Sequence, residues 1–345
     1  MRVGHAPQDE RWGGDSSRAL CEAGSAYRGP EMKAVVIDRY GGNEVAEVRD
    51  APRPTPGPQE VLLRVRAAAV NPVDWKIRSG MLKIFTGRSF PKILGSECAG
   101  EVAETGAGVT RFQKGDRVIG YPGIKRLGAF AEYVCVPEQS TFSLPASIPF
   151  EQAATLPIAG LTALQALRNL GRIAAGHEVL INGASGGVGT FAVQIARIFG
   201  ARVTAVCSAA NAELVRELGA GRVIDYRRED FTQDADRYDL IFDAVSKRSF
   251  AECKGVLAPH GLYIATLPTP AVLLHQYLTG FLSRKKARAI MVRPNAGDLA
   301  WLTGQIAAGR LRVVLDRVYP LDAAREALAY SETGKARGKV VLRVG

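Results

Sequence analysis

From Met32 to about Pro149 the apolar residues come in short runs separated by glycine, proline and charged positions: "KAVVIDRY", "EVLLRVRAAAV", "AGEVAETG", "DRVIGY" and "AFAEYVCV". Runs of this length with turn residues between them predict strands packed into a compact β-rich domain. The stretch "APRPTPGPQE" holds too many prolines for a helix or a central strand and reads as an extended connector. After Phe150 the pattern changes. "EQAATLPIAGLTALQALRNLG" has helical spacing up to Gly171, and then apolar strands and amphipathic helices alternate: "EVLING", "TFAVQIARIFG", "ARVTAVCS", "AELVRELGA", "RVIDY", "DLIFDAV", "LYIATL". These strands are nearly continuous in Val, Ile and Leu, as strands covered on both faces of a parallel sheet must be. The predicted class is therefore α/β, with a doubly wound parallel sheet following the β-rich unit. From about Asp298 the helix "LAWLTGQIAAG", the strand "LRVVLDRVYP", the helix "DAAREALAYSET" and the strand "GKVVLRV" are expected to fold back onto the first domain. The expected organisation is 32–155 for the first domain, 156–297 for the parallel sheet and 298–345 for the return. Residues 1–31 carry Gly, Ser and charges without an apolar core segment, which leaves a disordered extension, an upstream start or a weak targeting leader as the expectation.

Composition narrows this picture. A chain of 345 residues with 47% hydrophobic content can build two cores. Cys21, Cys98, Cys135, Cys207 and Cys253 are odd in number, scattered and never in a Cys-x-x-Cys pair, which argues against a disulfide framework or a structural zinc and suits a reducing cytoplasm. The net charge of +11 comes from Lys and Arg interleaved with Asp and Glu. The densest run, "SRKKAR" at Ser283 to Arg288, has no interleaved aromatics and reads as a solvated helix face or loop, so nucleic-acid binding is not expected. A basic excess suits an anionic small ligand. No apolar run reaches the roughly 18 residues needed to span a bilayer.

The segment "INGASGGVGTF", Ile181 to Phe191, packs four glycines into seven residues between an apolar strand and a helix whose positions Phe191, Ile195, Ile198 and Phe199 keep helical spacing. Bare backbone at a helix N-terminus lets a pyrophosphate approach the N–H groups and the positive end of the helix dipole. The expected dinucleotide contacts are Ala184, Gly186, Gly187, Val188 and Gly189, although the strict G-x-G-x-x-G register is not met. An acid about 20 residues further on would hold a ribose 2′-hydroxyl; here Ser208 stands at that place, with Asn211 following. Both can donate to a 2′-phosphate, which favours NADP(H) over NAD, and both can also cap the helix "AELVREL". Tyr226, with Arg227 and Arg228 beside it, is a candidate wall for the adenosine.

Taken together, "AAAVNPVDWKIRSG", "LGSECAGEVAETG", "GDRVIGY", "LPIAGLTALQAL", "NGASGGVGTFAVQIAR", "LGAGRVIDY" and "GKARGKVVLRV" resemble the medium-chain dehydrogenase/reductase superfamily. Within it the chain is similar to the zinc-free quinone oxidoreductases and alkenal (enone) reductases. The resemblance implies a GroES-like catalytic domain beside a Rossmann-type nucleotide-binding domain. It puts the catalytic zinc ligands of the alcohol dehydrogenases at Asn71 and Ser96, neither of which supplies a thiolate or imidazole. It further implies a strand-end segment "NPVDWK" at the nicotinamide cleft, with Asn71 ordering the loop or the ribose, Asp74 fixing the turn and Lys76 polarising a carbonyl, touching the cofactor or lying on the surface. Tyr121 is a candidate substrate contact. Leu267 in "YIATLPTP" and the closing Lys339 are candidate cofactor contacts. The implied reaction is hydride transfer from NADPH to a quinone or to the β-carbon of an α,β-unsaturated carbonyl, whose conjugation spreads the charge without a Lewis acid. The alternatives are a catalytically weak NADPH-sensing or RNA-binding member of the fold, or an enoyl-thioester reductase. A homodimer is implied as well, with "PAVLLHQYLTGFLSRKKARAIMVRP" beside the cleft or in the dimer contact.

Overall fold

The computed structural model describes residues 30–345; apart from Pro30 and Glu31, the extension expected over 1–31 lies outside the described residues. The strands are β1 (Glu31–Ile37), β2 (Glu47–Pro52), β3 (Glu60–Val70), β4 (Lys92–Ile93), β5 (Cys98–Thr105), β6 (Arg117–Gly120), β7 (Tyr133–Pro137), β8 (Thr141–Ser143), β9 (Glu178–Asn182), β10 (Arg202–Cys207), β11 (Arg222–Asp225), β12 (Tyr238–Asp243), β13 (Leu257–Ala265), β14 (Lys286–Ala289), β15 (Leu315–Pro320) and β16 (Lys339–Arg343). β9 to β14 form one six-stranded sheet in the order β11-β10-β9-β12-β13-β14, every pair parallel. The order reverses between β9 and β12, the switch point where doubly wound sheets open a crevice at their carboxyl ends.

The seven-stranded sheet runs β15-β16-β3-β5-β6-β8, with β7 also on β3, and β2-β1-β4 forms a smaller antiparallel layer. β3 is its spine: residues 67–70 pair with β16, residues 60–64 with β7 and most of its length with β5. The last two strands of the chain thus complete a sheet begun more than 200 residues earlier. One buried cluster joins the two halves, because Ala67, Ala99 and Ile119 of the seven-stranded sheet share it with Ile181 and Phe242 of the parallel sheet and with Leu164 and Phe191 of the helices that cover it.

Two segments depart from the expected pattern. The helical stretch after Phe150 is wound as a mixture: Phe150–Ala153 and Leu161–Leu164 are α-helical, while Leu156–Gly160 and Gln165–Leu170 are π-helical. The basic run Ser283–Arg288, expected as a helix face or loop, instead enters β14, the edge of the parallel sheet. Ala287 is wholly buried there and Lys286 is exposed, so a short strand with one buried position accommodates the charges.

Phe242 lies on the central strand β12 with no exposed surface. Phe242→Ala is expected to lower unfolding stability by about 3–5 kcal/mol, read as a lower urea midpoint at an unchanged slope; a loss below about 1 kcal/mol would mean that the centre of this sheet is not close-packed.

Candidate active site

β9 ends at Asn182 and the chain turns through Gly183, which takes φ +80° and donates its N–H to the Val206 carbonyl at 3.0 Å. The helix Gly187–Ile198 then starts almost on top of the turn. A Cβ on Gly189 would lie 2.1 Å from the Gly183 carbonyl oxygen and 2.7 Å from the Ala184 backbone, so only glycine fits. Ala184 is buried beneath the turn, whereas Gly186, Gly187 and Val188 remain partly exposed. The N–H groups of Val188 and Gly189 in the first turn of the helix meet no acceptor among the described residues, while Gly187 faces the Gly338 carbonyl across the parallel bridge between Gly186 and Gly338. Such a set of unsatisfied donors on bare backbone fits a diphosphate.

The neighbouring strand ends complete the rim. Ser208 follows β10, and Asn211 reaches back to the turn, its Nδ2 donating to Ser185 Oγ at 2.9 Å. The Asn211 Oδ1 is buried without a protein partner, an acceptor left for a ligand donor. Tyr226 follows β11 with 58% of its surface exposed and Arg227 over its ring at 5.8 Å; Leu267 follows β13 at 39% exposed. At the switch point the Asn182 Nδ2 donates to Asp243 Oδ1 at 2.9 Å. The buried Asp243 carboxylate also accepts the N–H groups of Val245, Ser246 and Arg248 and the Tyr263 hydroxyl, which shapes the turn after β12. Sequence reasoning missed both Asn182 and Asp243; the signal was a polar residue directly after the apolar runs Val179–Ile181 and Leu240–Phe242.

Across the crevice, "NPVDWK" is a helix rather than a strand end: Pro72–Arg78, with Pro at its first position and the Asp74 carboxylate accepting the Asn71 N–H at 2.7 Å. The Asn-Pro-x-Asp spacing was the unread signal. Buried Arg78 anchors this helix, donating to Asn43 Oδ1 at 2.5 Å and to Glu332 Oε2 at 2.8 Å. The Asn71 side chain turns inward, away from solvent: its Nδ2 donates to Glu97 Oε1 at 2.7 Å and its Oδ1 accepts from Lys339 Nζ at 2.5 Å. Glu97, which sequence reasoning also passed over, has no exposed surface, and its second oxygen accepts the Ile158 N–H at 2.6 Å. Lys339 is 3% exposed and stands 3.4 Å from the Glu97 carboxylate, so its ammonium is engaged inside the protein. Ser96 donates to the other Asp74 oxygen at 3.3 Å.

Burial pushes the Asp74 carboxyl up to about 7, the nearby Glu97 charge adding to the effect. Burial also raises Glu97, against the opposing pull of Lys339. Tyr121, partly buried after β6, is held up at about 12, first by burial and then by Glu97, so its hydroxyl stays protonated at neutral pH. Lys76 is half-buried on the helix and its pKa is lowered by desolvation; it lies 5.5 Å from the Trp75 ring and has no carboxylate partner among the described residues. The two clusters meet at Lys339 and the glycine turn. Ser208, Asn211, Tyr226 and Leu267 gather at the sheet's carboxyl edge, while Asn71, Asp74 and Lys76 share one short helix and its cap. No group of three or more His, Cys, Asp or Glu side chains is arranged to hold a metal among the described residues. No described helix is long and apolar enough to cross a membrane.

A parallel sheet in this order, with a glycine turn after its first strand and a separate β-rich domain across the crevice, defines a two-domain oxidoreductase of the nicotinamide-using kind. Residues 57–146 match the alcohol dehydrogenase GroES-like domain and residues 218–342 the model described as zinc-binding dehydrogenase. The chain is 35% identical over 325 residues to the chloroplast envelope quinone oxidoreductase homolog of Arabidopsis thaliana, covering 91% of this chain and 99% of that one. It is 35% identical over 361 residues to the mitochondrial NAD(P)H oxidoreductase RTN4IP1 of Mus musculus, covering 93% and 91%. The solved quinone oxidoreductase of Coxiella burnetii superposes with a TM-score of 0.86 at 32% identity, over 92% of this chain and all of that one. The chain belongs to the medium-chain dehydrogenase/reductase superfamily, in its quinone oxidoreductase-like branch.

Two outcomes follow from the geometry. Gly189→Ala forces the helix off the turn, and dinucleotide affinity, followed by fluorescence titration, is expected to fall at least tenfold, about 1.4 kcal/mol; wild-type affinity would mean that the turn does not hold the diphosphate. The folded protein keeps a proton on Asp74 that the unfolded chain releases near pH 4. The folded state therefore binds more protons between about pH 4 and 7, and the contribution of Asp74 to stability falls as pH rises through that window. Relative to wild type, Asp74→Asn is expected to flatten the decline in urea midpoint from pH 5 to 8; parallel curves would show that Asp74 does not titrate there.

Proposed function

We propose that the protein is an NADPH-dependent oxidoreductase that passes hydride to quinones or to the activated C=C of α,β-unsaturated carbonyls, without zinc. The observation that carries this reading is the bare turn Gly183–Gly189, with the free N–H groups of Val188 and Gly189 at the switch point of a parallel sheet. NADP(H) rather than NAD is supported by Ser208 standing where an acid would face the ribose, and by Arg227 and Arg228, which have no ion pair among the described residues. The unpartnered Asn211 Oδ1 suits a ribose hydroxyl.

When bound, the nicotinamide supplies the hydride. The protein's share is to hold the acceptor and stabilise charge that develops on its oxygen. Lys76, with its unpaired ammonium, and Tyr121, whose hydroxyl keeps its proton and finds no partner among the described residues, are the donors we assign to that oxygen. Asn71 has its amide committed to Glu97 and Lys339, so its part is to order the segment. The positions matching zinc ligands also argue against a metal: an amide engaged with a lysine, a hydroxyl engaged with Asp74, and the Lys339 ammonium beside Glu97.

We propose a homodimer, supported by the exposed apolar side chains Leu273, Leu274, Leu278 and Met291 around the helix Pro270–Leu282, next to the edge strand β14. A reducing cytoplasm is supported by Cys98, Cys135, Cys207 and Cys253, all free. Turnover of a benzoquinone and of a small enone, each with NADPH and NADH, is the decisive assay. Quinone or enone reduction with at least a tenfold preference for NADPH is expected. Tenfold preference for NADH would overturn the reading of Ser208 and Asn211, and no turnover of either acceptor would overturn the activity.

A further inference from the structure

The chain enters β16 through Gly338, and this entry is bonded to the glycine turn rather than only to its own sheet. Gly338 donates its N–H to the Ser185 carbonyl at 2.9 Å and forms a parallel bridge with Gly186. The stem of the next residue, Lys339, lies along the turn: a Cβ on Gly187 would come within 2.9 Å of its Cδ. The far end of the same side chain is 2.5 Å from the Asn71 Oδ1 and 3.4 Å from Glu97. Glu97 in turn accepts from Asn71 and from the backbone of Ile158, in the helical segment that leads into the parallel-sheet half of the chain. One buried chain of contacts therefore runs from the glycine turn through Lys339 to Glu97, Asn71 and the helix that carries Lys76. Every side chain in it is at least nine-tenths buried.

We infer that Lys339 and Glu97 are positioning residues that hold the dinucleotide turn and the helix Pro72–Arg78 in one register, so that loosening one loosens the other. Lys339 then acts through Asn71 and through its packing on Gly187, rather than by contact with cofactor phosphate. The long lysine is suited to this: its methylenes cover bare backbone at one end while its ammonium neutralises a buried carboxylate at the other. A buried ion pair adds little net stability compared with an apolar replacement, which leaves alignment as the use these charges have here.

The inference rests on the proposed dinucleotide reading, and its test separates the two. Glu97→Gln, Lys339→Met and the double variant are compared by amide exchange of residues 71–78 and 183–189 in the cofactor-free protein, by NADPH affinity and by thermal midpoint. Glu97 has no hydrogen bond to the turn among the described residues, yet Glu97→Gln is expected to speed exchange in 183–189 and to weaken NADPH at least tenfold. Lys339→Met should do the same, and the double variant should be no worse than the worse single, because both break one chain. If Lys339→Met leaves Glu97 an unpaired buried anion and does not fold, the double variant and Glu97→Gln give the comparison, and equal effects support the latch. The inference is overturned if Glu97→Gln leaves the turn and NADPH affinity unchanged while Lys339→Met or the double variant weakens binding, since that pattern marks a direct cofactor contact. It is also overturned if exchange rises uniformly along the chain in step with a lower thermal midpoint, the mark of a merely structural pair. Failure of the unaltered protein to bind NADPH would sink the proposed function instead, and exchange in the free protein would then decide the latch on its own.

Discussion

The close approach of one helix to the turn before it governs the rest of this molecule. With Gly189 set against the Gly183 carbonyl, no side chain can stand between strand β9 and the helix Gly187–Ile198, and the helix N-terminus is fixed at the mouth of the sheet. The parallel order of β9, β10 and β12 follows from burying continuous Val, Ile and Leu runs on both faces, and that order brings the ends of β10, β11 and β13 to the same edge. Ser208, Tyr226 and Leu267 are therefore neighbours of the turn through topology, although they lie 19 to 78 residues beyond Gly189 in the chain.

The opposite wall is built on a different principle. Two buried carboxyl groups, Asp74 and Glu97, share their surroundings with one ammonium, Lys339, so the cluster can balance one negative charge completely and a second only by keeping a proton. Desolvation is the larger influence on both acids, and the Lys339 charge opposes it at both. The physical result is a rigid, nearly neutral polar knot beneath the cleft rather than a charged group exposed within it. Lys76, by contrast, sits partly in solvent with no acid to neutralise it. The Lys76 charge is thus left partly in solvent, while Asp74, Glu97 and Lys339 are enclosed in the protein.

What the sequence made legible were features whose cause is local. The glycine turn, the parallel strands and the change of grammar near Phe150 all follow from neighbouring residues, and so does Ser208 in place of an acid. The helix Pro72–Arg78 was equally local, since Asn71, Pro72 and Asp74 form a recognisable start signal, but a reading as strand end passed over it. β14 was obscured because an edge strand needs only one buried position, and Ala287 gives little hydrophobic signal among four basic residues. The pairing of Lys339 with Asn71 and Glu97 had no local cause at all: the partners stand 268 and 242 positions apart. Only the return of β16 to the side of β3 creates that contact, and strand pairing over such a separation leaves no periodic trace.

That return also explains why the end of the chain belongs to the site. β16 pairs with β3 at Val70, the residue before Asn71, so the strand that delivers Lys339 is hydrogen-bonded to the strand that delivers Asn71. Gly338, the residue before β16, is tied to the glycine turn after β9. A helix N-terminus alone provides a favourable potential for an anion but no fixed distance to a reacting partner in another domain. Here two consecutive residues, Gly338 bonded to the turn and Lys339 bonded to Asn71, join the parallel sheet to the other one by a stretch too short to vary much in length.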